Sequence, residues 1–274
     1  MFNKSVHLIL MSLSFLEKVP KEYFCIYSGT SEEFKCTPKD FCDNPAVISH
    51  YPNMMLADSY DNWVGRYDLA CASSFKVGFI ASSFFLGWIS TLFFLPRLSD
   101  LFGRQKIIVM GNVVQTLAYT VILMTKSYAL LIVSMILLGM MSTVRLQVCV
   151  VYIYESMKKE HFTKTYAAIA CFEGVLGLAA VLYFKFISKD YFWLLLSGYI
   201  LQVAGSFASF FFPESPRYLI KTGMITEATS VLNQISYFNG SDVKFGNEQI
   251  DEMFNIPKSH LPDKVNKDKN EASE

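Results

Sequence analysis

Val77–Lys106 reads VGFIASSFFLGWISTLFFLPRLSDLFGRQK, and its division into an uncharged part and a charged part decides the fold. Residues 77–95 contain no charged side chain. At a rise of ~1.5 Å per helical residue, such a run matches the ~30 Å hydrocarbon core of a bilayer. Pro96 is expected to end that helix, because proline cannot continue a helical hydrogen-bond ladder. Arg97, Asp100, Arg104 and Lys106 follow, and then a second uncharged run, Ile107–Thr125. Two spans joined by a charged loop of about ten residues predict a membrane hairpin, and its basic excess places the loop on the cytoplasmic side. Gly103 allows the positive φ that a tight turn needs. Asp100 is expected near the start of the returning helix, where the dipole favours an acid. Arg104 and Lys106 are expected to anchor the loop at the anionic leaflet.

The composition agrees with a polytopic membrane protein. Of 274 residues, 52% are apolar, with 24 Phe and 15 Tyr. Twenty-four basic residues balance 24 acidic ones, which leaves no basic footprint for a nucleic-acid partner. The sequence contains no phosphate-binding glycine loop, zinc-ligand spacing or nucleophile–base arrangement, and its four His are scattered. No cofactor and no enzymatic activity are expected; the bilayer itself is the first partner implied.

Reading outward from the hairpin orients the rest. Residues 1–16, including the apolar Val6–Leu16, are too short to span and are taken as the remnant of a first transmembrane helix, in preference to a signal-peptide core without a cleavage site. Residues 17–74 form a polar loop on the opposite side from Asp100–Lys106, and it holds Cys25, Cys36, Cys42 and Cys71. An even set of cysteines confined to one extracytoplasmic segment implies disulfides, in any of three connectivities. Helices 2–6 are expected within 75–212, with Arg145 inside the fourth and Glu173 inside the fifth. Residues 213–240 are read as a cytoplasmic segment with a short helix, and 241–274 as a polar tail expected to be disordered.

Several stretches carry a family resemblance. Asp100-Leu-Phe-Gly103-Arg104-Gln-Lys106 resembles the D-x-x-G-R-[RK] signature between helices two and three of major facilitator transporters. Trp63 through Asp68-Leu69-Ala70-Cys71 is similar to the segment that closes the large outer loop in the organic cation/anion transporter branch. Tyr152-Ile-Tyr-Glu155 resembles the inner end of that branch's helix four, and Pro213-Glu214-Ser215-Pro216-Arg217-Tyr218-Leu219 resembles a motif that sugar porters and organic ion transporters share after helix six. The resemblance implies an all-α membrane protein, the N-terminal six-helix bundle of a major facilitator with its first helix truncated. It also implies a cytoplasmic gate built from Asp100, Gly103, Arg104, Glu155, Glu214 and Arg217.

Arg145 and Glu173 lie at similar depth on consecutive spans, on the order of 14 Å from the cytoplasmic face. They are expected to pair, either lining a substrate path or merely neutralising each other. The function expected is secondary or facilitated transport of a small organic ion at the plasma membrane. The chain would act as a half-transporter beside a second six-helix half or a second copy, or be a truncated product. A sugar-porter-like half and a transport-dead scaffold or regulatory partner are the alternatives.

Overall fold

The structure is a computed structural model that describes residues 5–28, 32–42, 44–157, 159–241 and 243–254. In chain order it contains α1 (Ser5–Leu16), β1 (Tyr23–Tyr27), β2 (Glu33–Cys36), α2 (Pro38–Phe41), β3 (Val47–Pro52), α3 (Trp63–Arg66), α4 (Ser74–Thr91), α5 (Leu95–Phe102) and α6 (Arg104–Met124). There follow α7 (Tyr128–Thr143), a π-helical turn at Val144–Val148, α8 (Cys149–Ser156), α9 (Lys159–Leu182), a second π turn at Tyr183–Ile187, α10 (Phe192–Ser209), α11 (Pro216–Lys221), α12 (Ile225–Phe238) and α13 (Asn247–Phe254). Among the described residues, four helical stretches are long and apolar enough to cross a bilayer, and α4 with α5 makes a fifth, bent span. The result is an all-α membrane bundle.

The outer segment is more than a loop. β1 lies between β2 and β3 in an antiparallel sheet, with Cys25 opposite Phe34 on one side and His50 on the other. Disulfides join Cys25 to Cys36 and Cys42 to Cys71, which selects one of the three connectivities. The second bridge ties the helix after β2 to the chain just ahead of α4. Polar contacts fasten this unit to the outer helix ends. Arg66 donates from Nε to the Thr125 carbonyl (3.0 Å) and from Nη1 to the Tyr191 hydroxyl (2.8 Å). The Asn62 amide donates to the Phe15 and Lys18 carbonyls, and Lys189 Nζ donates to the Met54 and Leu56 carbonyls.

The hairpin differs from the expectation in two respects. Pro96 does not end the span: it sits in the first turn of α5, where a missing N–H costs nothing. The ladder breaks instead between Thr91 and Leu95, and the two halves meet at 48°. Pro96 cannot donate to the preceding turn, and Thr91 bonds back to the Gly87 and Trp88 carbonyls. In place of a loop of about ten residues, Gly103 alone, at φ 101°, turns α5 into α6.

The bundle is tightest where α4 crosses α7. A Cβ on Gly87 would strike the Ile136 carbonyl, and one on Gly139 would strike that of Phe84, so the two backbones touch. Thr91 and Thr143 hydroxyls bond across the same crossing at 2.7 Å. α6 and α10 are joined by Thr116–Ser206 at 2.7 Å and by Tyr119 donating to the Leu195 carbonyl at 2.8 Å. α1 packs on the outer half of α9 and on the π turn after it, with Met11 facing Gly177 of the helix and Phe15 stacked on Phe184 of the turn. Its 12 residues cover ~18 Å, short of a bilayer. Only 11% of the apolar window of Glu160–Ile187 is buried, against 61% for Tyr128–Ser156.

Within 241–274, expected to be a disordered tail, Asn247–Phe254 is helical. Ile250 is buried against Tyr218, Leu219 and Ala228, which gives this short helix its anchor. The expectation for 255–274 falls outside the described residues.

Candidate functional site

The inner ends of α5, α6 and α8 meet the start of α11 around one guanidinium. Arg104 is the first residue of α6, so its side chain points back over the turn preceding it. It binds Glu155 with two parallel bonds, Nε to Oε2 and Nη2 to Oε1, both 3.1 Å. Nη2 lies 2.7 Å from Asp100 Oδ1, and Nη1 donates to the Ser99 carbonyl at 3.2 Å. The ring of Tyr218 lies 5.1 Å from the guanidinium carbon. The Arg104 and Glu155 side chains are only 6% and 13% exposed, so this pair is bidentate and largely dry. Asp100 is 56% exposed, and its pairing contributes at most ~1 kcal/mol. Arg104 is therefore buried within the protein and does not anchor a loop at the leaflet.

Glu214 takes the place at the helix start that Asp100 was expected to fill. Its carboxylate accepts from the backbone N–H groups of Arg104 (2.9 Å) and Gln105 (3.1 Å), the first donors of α6, and from that of Ser215. A negative charge there meets the positive end of the helix dipole. Asp100 instead ends α5. Gly103 is doubly constrained, since its positive φ disfavours a side chain and a Cβ would overlap the Glu214 carboxylate. Ser215 caps α11 and donates to Glu155 Oε2 at 2.7 Å. Tyr218 donates to the Leu101 carbonyl, closing the end of α5, and Tyr152 donates to the Pro213 carbonyl.

The structure thus gathers Asp100, Gly103, Arg104, Glu155 and Glu214 into one network. Arg217 stands apart, its guanidinium 5.8 Å from the Tyr154 ring centroid. Ser99, Ser215, Tyr152 and Tyr218 complete the network and were not singled out from sequence. The last three lie inside the two motifs already quoted, which was the available signal. Chemically this is a clasp. Three helix ends and the segment after α10 are held together by charge-assisted bonds.

At mid-depth, a cavity of about 330 Å³ lies between the α7–α8 stretch and α9. Arg145 enters it from the π turn Val144–Val148, a widened turn of the kind found at functional sites. Glu173 lines the same cavity, and the two charges attract each other across it. Arg145 is 7% exposed, and its Nε and Nη1 have no hydrogen-bond partner. Each such unmet buried donor costs roughly 1–3 kcal/mol. The rest of the wall is mainly aliphatic and aromatic.

The outer face has its own perturbed acids. Glu17, immediately after α1, is pushed up to about 7 by burial, partly offset by a hydrogen bond with the Ala81 backbone, and its Oε1 has no partner. Asp61 borders a second cavity, of about 490 Å³, between the sheet and α3. Burial and then the neighbouring Asp190 raise its carboxyl above the usual range, against the opposing pull of Arg66. Neither acid carried a motif. Among the described residues, no cluster of side chains is arranged to hold a metal ion.

A family model described as "Sugar (and other) transporter" matches residues 41–262. No curated protein matches the chain.

Proposed function

The chain belongs to the sugar (and other) transporter family of the major facilitator superfamily, an integral, multi-pass membrane transporter, and from that premise we propose that it moves a small organic ion across the plasma membrane by alternating access. The observation that carries this reading is the Arg104 clasp. A network of charges that joins separate helix ends on one face has two discrete states, made and broken, as a gate requires. Alternating access also needs a second bundle against which the first can rock. We assign that part to a second six-helix unit, either a second copy or another half. The organic cation/anion branch is favoured over the rest of the family by the Cys-bearing outer segment, which ends in Trp63…Asp68-Leu69-Ala70-Cys71.

The family description favours a second reading, sugar transport. Recognition of a sugar calls for many amide and hydroxyl groups that would be left unpaired without it. The mid-depth cavity has instead two opposite charges and an apolar wall, which suits an ion with an apolar body. Uptake into proteoliposomes separates the readings. Saturable uptake of tetraethylammonium or benzoate is expected, with none of glucose. Glucose uptake alone would establish the sugar reading, and a protein that moves none of the three while forming stable complexes with a transporter would be a scaffold.

A further inference from the structure

We propose that the Cys42–Cys71 bridge is a site of reversible thiol–disulfide exchange with a small thiol, and that its state sets how firmly α3 holds the outer helix ends. The proposal goes beyond the transport reading and stands without it.

The two bridges of the outer segment differ in their surroundings. Cys25 and Cys36 are buried, at 0% and 5% exposure, and pack with Tyr23 and Phe41. Cys71 is exposed and Cys42 is partly so. Exchange needs a thiolate to reach a sulfur, so access separates the two bridges. The attacking thiolate bonds to Cys71 Sγ, and the S–S bond breaks with its electron pair leaving on Cys42, which takes up a proton. A second thiol then attacks the added sulfur and releases Cys71 as a thiol. In sum, two small thiols are oxidised to one disulfide while the bridge is reduced to two cysteines. The small disulfide reverses the reaction.

What the bridge controls follows from the contacts of α3. The Asn62 amide donates to the Phe15 (2.9 Å) and Lys18 (2.7 Å) carbonyls at the end of α1. Arg66 donates to the Leu123 and Thr125 carbonyls at the end of α6 and to the Tyr191 hydroxyl at the start of α10. The last carbonyls of a helix lack intrahelical donors, and a cation there meets the negative end of the dipole. One short element therefore grips three helix ends. Between it and Cys71 the chain is tightly folded. The Leu69 N–H returns to the Val64 carbonyl at 2.8 Å, and Asp68 sits at φ 51°, in the left-handed region that a residue with a Cβ enters at a cost. With the bridge closed that turn is held at both sides. Reduction frees its far side and lets Asp68 relax, while buried Trp63 and Val64 keep the near side of α3 seated. The Arg66 end loosens and the bundle stays folded.

The test treats the purified full chain in nanodiscs with reduced glutathione. Iodoacetamide tags the cysteines released, mass spectrometry reads each one, and hydrogen exchange reads the amides. Cys42 and Cys71 should be tagged at least ~10-fold faster than Cys25 and Cys36. Protection of the Arg66, Tyr67 and Thr125 amides should fall at least ~10-fold and return with oxidised glutathione, while the Arg104 and Gln105 amides of the clasp stay unchanged. Cys42→Ser with Cys71→Ser should show the loosened pattern without thiol and no response to it. Arg66→Met should loosen Thr125 with the bridge intact. The proposal is overturned if Cys25–Cys36 is reduced as fast, or if reduction of Cys42–Cys71 leaves Arg66 and Thr125 as protected as before. A rise in exchange that includes Arg104 would also overturn it, since the bridge would then be a staple of the whole fold.

Discussion

Arg104→Met is expected to destabilise the bundle by about 3–5 kcal/mol, the usual cost of removing one member of a buried ion pair. Methionine keeps much of the side-chain volume, so the loss is electrostatic. Glu155, 13% exposed, would keep its charge with the Ser215 hydroxyl as its remaining close donor, and the Ser99 carbonyl would lose Nη1. Asp100 is half in solvent and tolerates the change. Removing both charges tests the assignment, since Arg104→Met with Glu155→Leu leaves no orphaned carboxylate and should recover most of the stability. Thermal unfolding of the single and double variants in nanodiscs measures the coupling. The single variant should also label faster from the cytoplasmic side at a cysteine placed at Ser99, which is buried under the clasp. Equal stability and equal labelling would remove Arg104 from any gating role.

Gly139→Val is the second large effect. The Cβ would enter the space of the Phe84 carbonyl and lie against the Trp88 backbone, so α4 and α7 must move apart. Separation also breaks the Thr91–Thr143 hydrogen bond and the one from Thr91 to the Met140 carbonyl. A cost above ~4 kcal/mol is expected, enough to prevent accumulation of a folded protein in a marginally stable chain. Gly87→Val should behave alike, from the other side of the crossing. Gly78 and Gly174 are the controls, because a Cβ at either meets nothing within 4 Å. Gly78→Ala and Gly174→Ala should be neutral or stabilising by up to ~1 kcal/mol. Chromatographic monodispersity of the four variants reports the contrast, and a monodisperse Gly139→Val would contradict the close crossing.

How much of this was legible in the sequence depends on whether the deciding contact is local. Runs of uncharged residues gave the spans, and charges at inner helix ends pointed to Asp100, Arg104, Glu155 and Glu214 as one layer. The cap of α6 was not legible, because its acid, Glu214, lies 109 and 110 residues along the chain from the N–H groups that it accepts. Asp100 looked like the cap only because it is near in sequence. Pro96 was misread as a stop for a similar reason: a proline ends one helix or begins another, and besides its missing donor the break involves Thr91 side-chain bonds that no pattern displays. Depth counting put Arg145 and Glu173 at one level, and both line one cavity. The π turn at Val144–Val148, which carries Arg145, was not legible, because the apolar pattern runs through it unbroken in kind. In the outer segment, cysteine parity implied bridges, while the pairing of Cys25 with Cys36 and Cys42 with Cys71 awaited the sheet that brings them together.

The clasp, the mid-depth cavity and the transport reading all require that the Arg104 layer and the disulfide-linked sheet face opposite sides of one membrane. Single cysteines at Leu101 and Ile48, 74% and 71% exposed, report this directly with a membrane-impermeant maleimide on intact and permeabilised cells. Ile48→Cys should label on intact cells and Leu101→Cys only after permeabilisation; labelling of both from the same side would contradict the fold's placement in the bilayer.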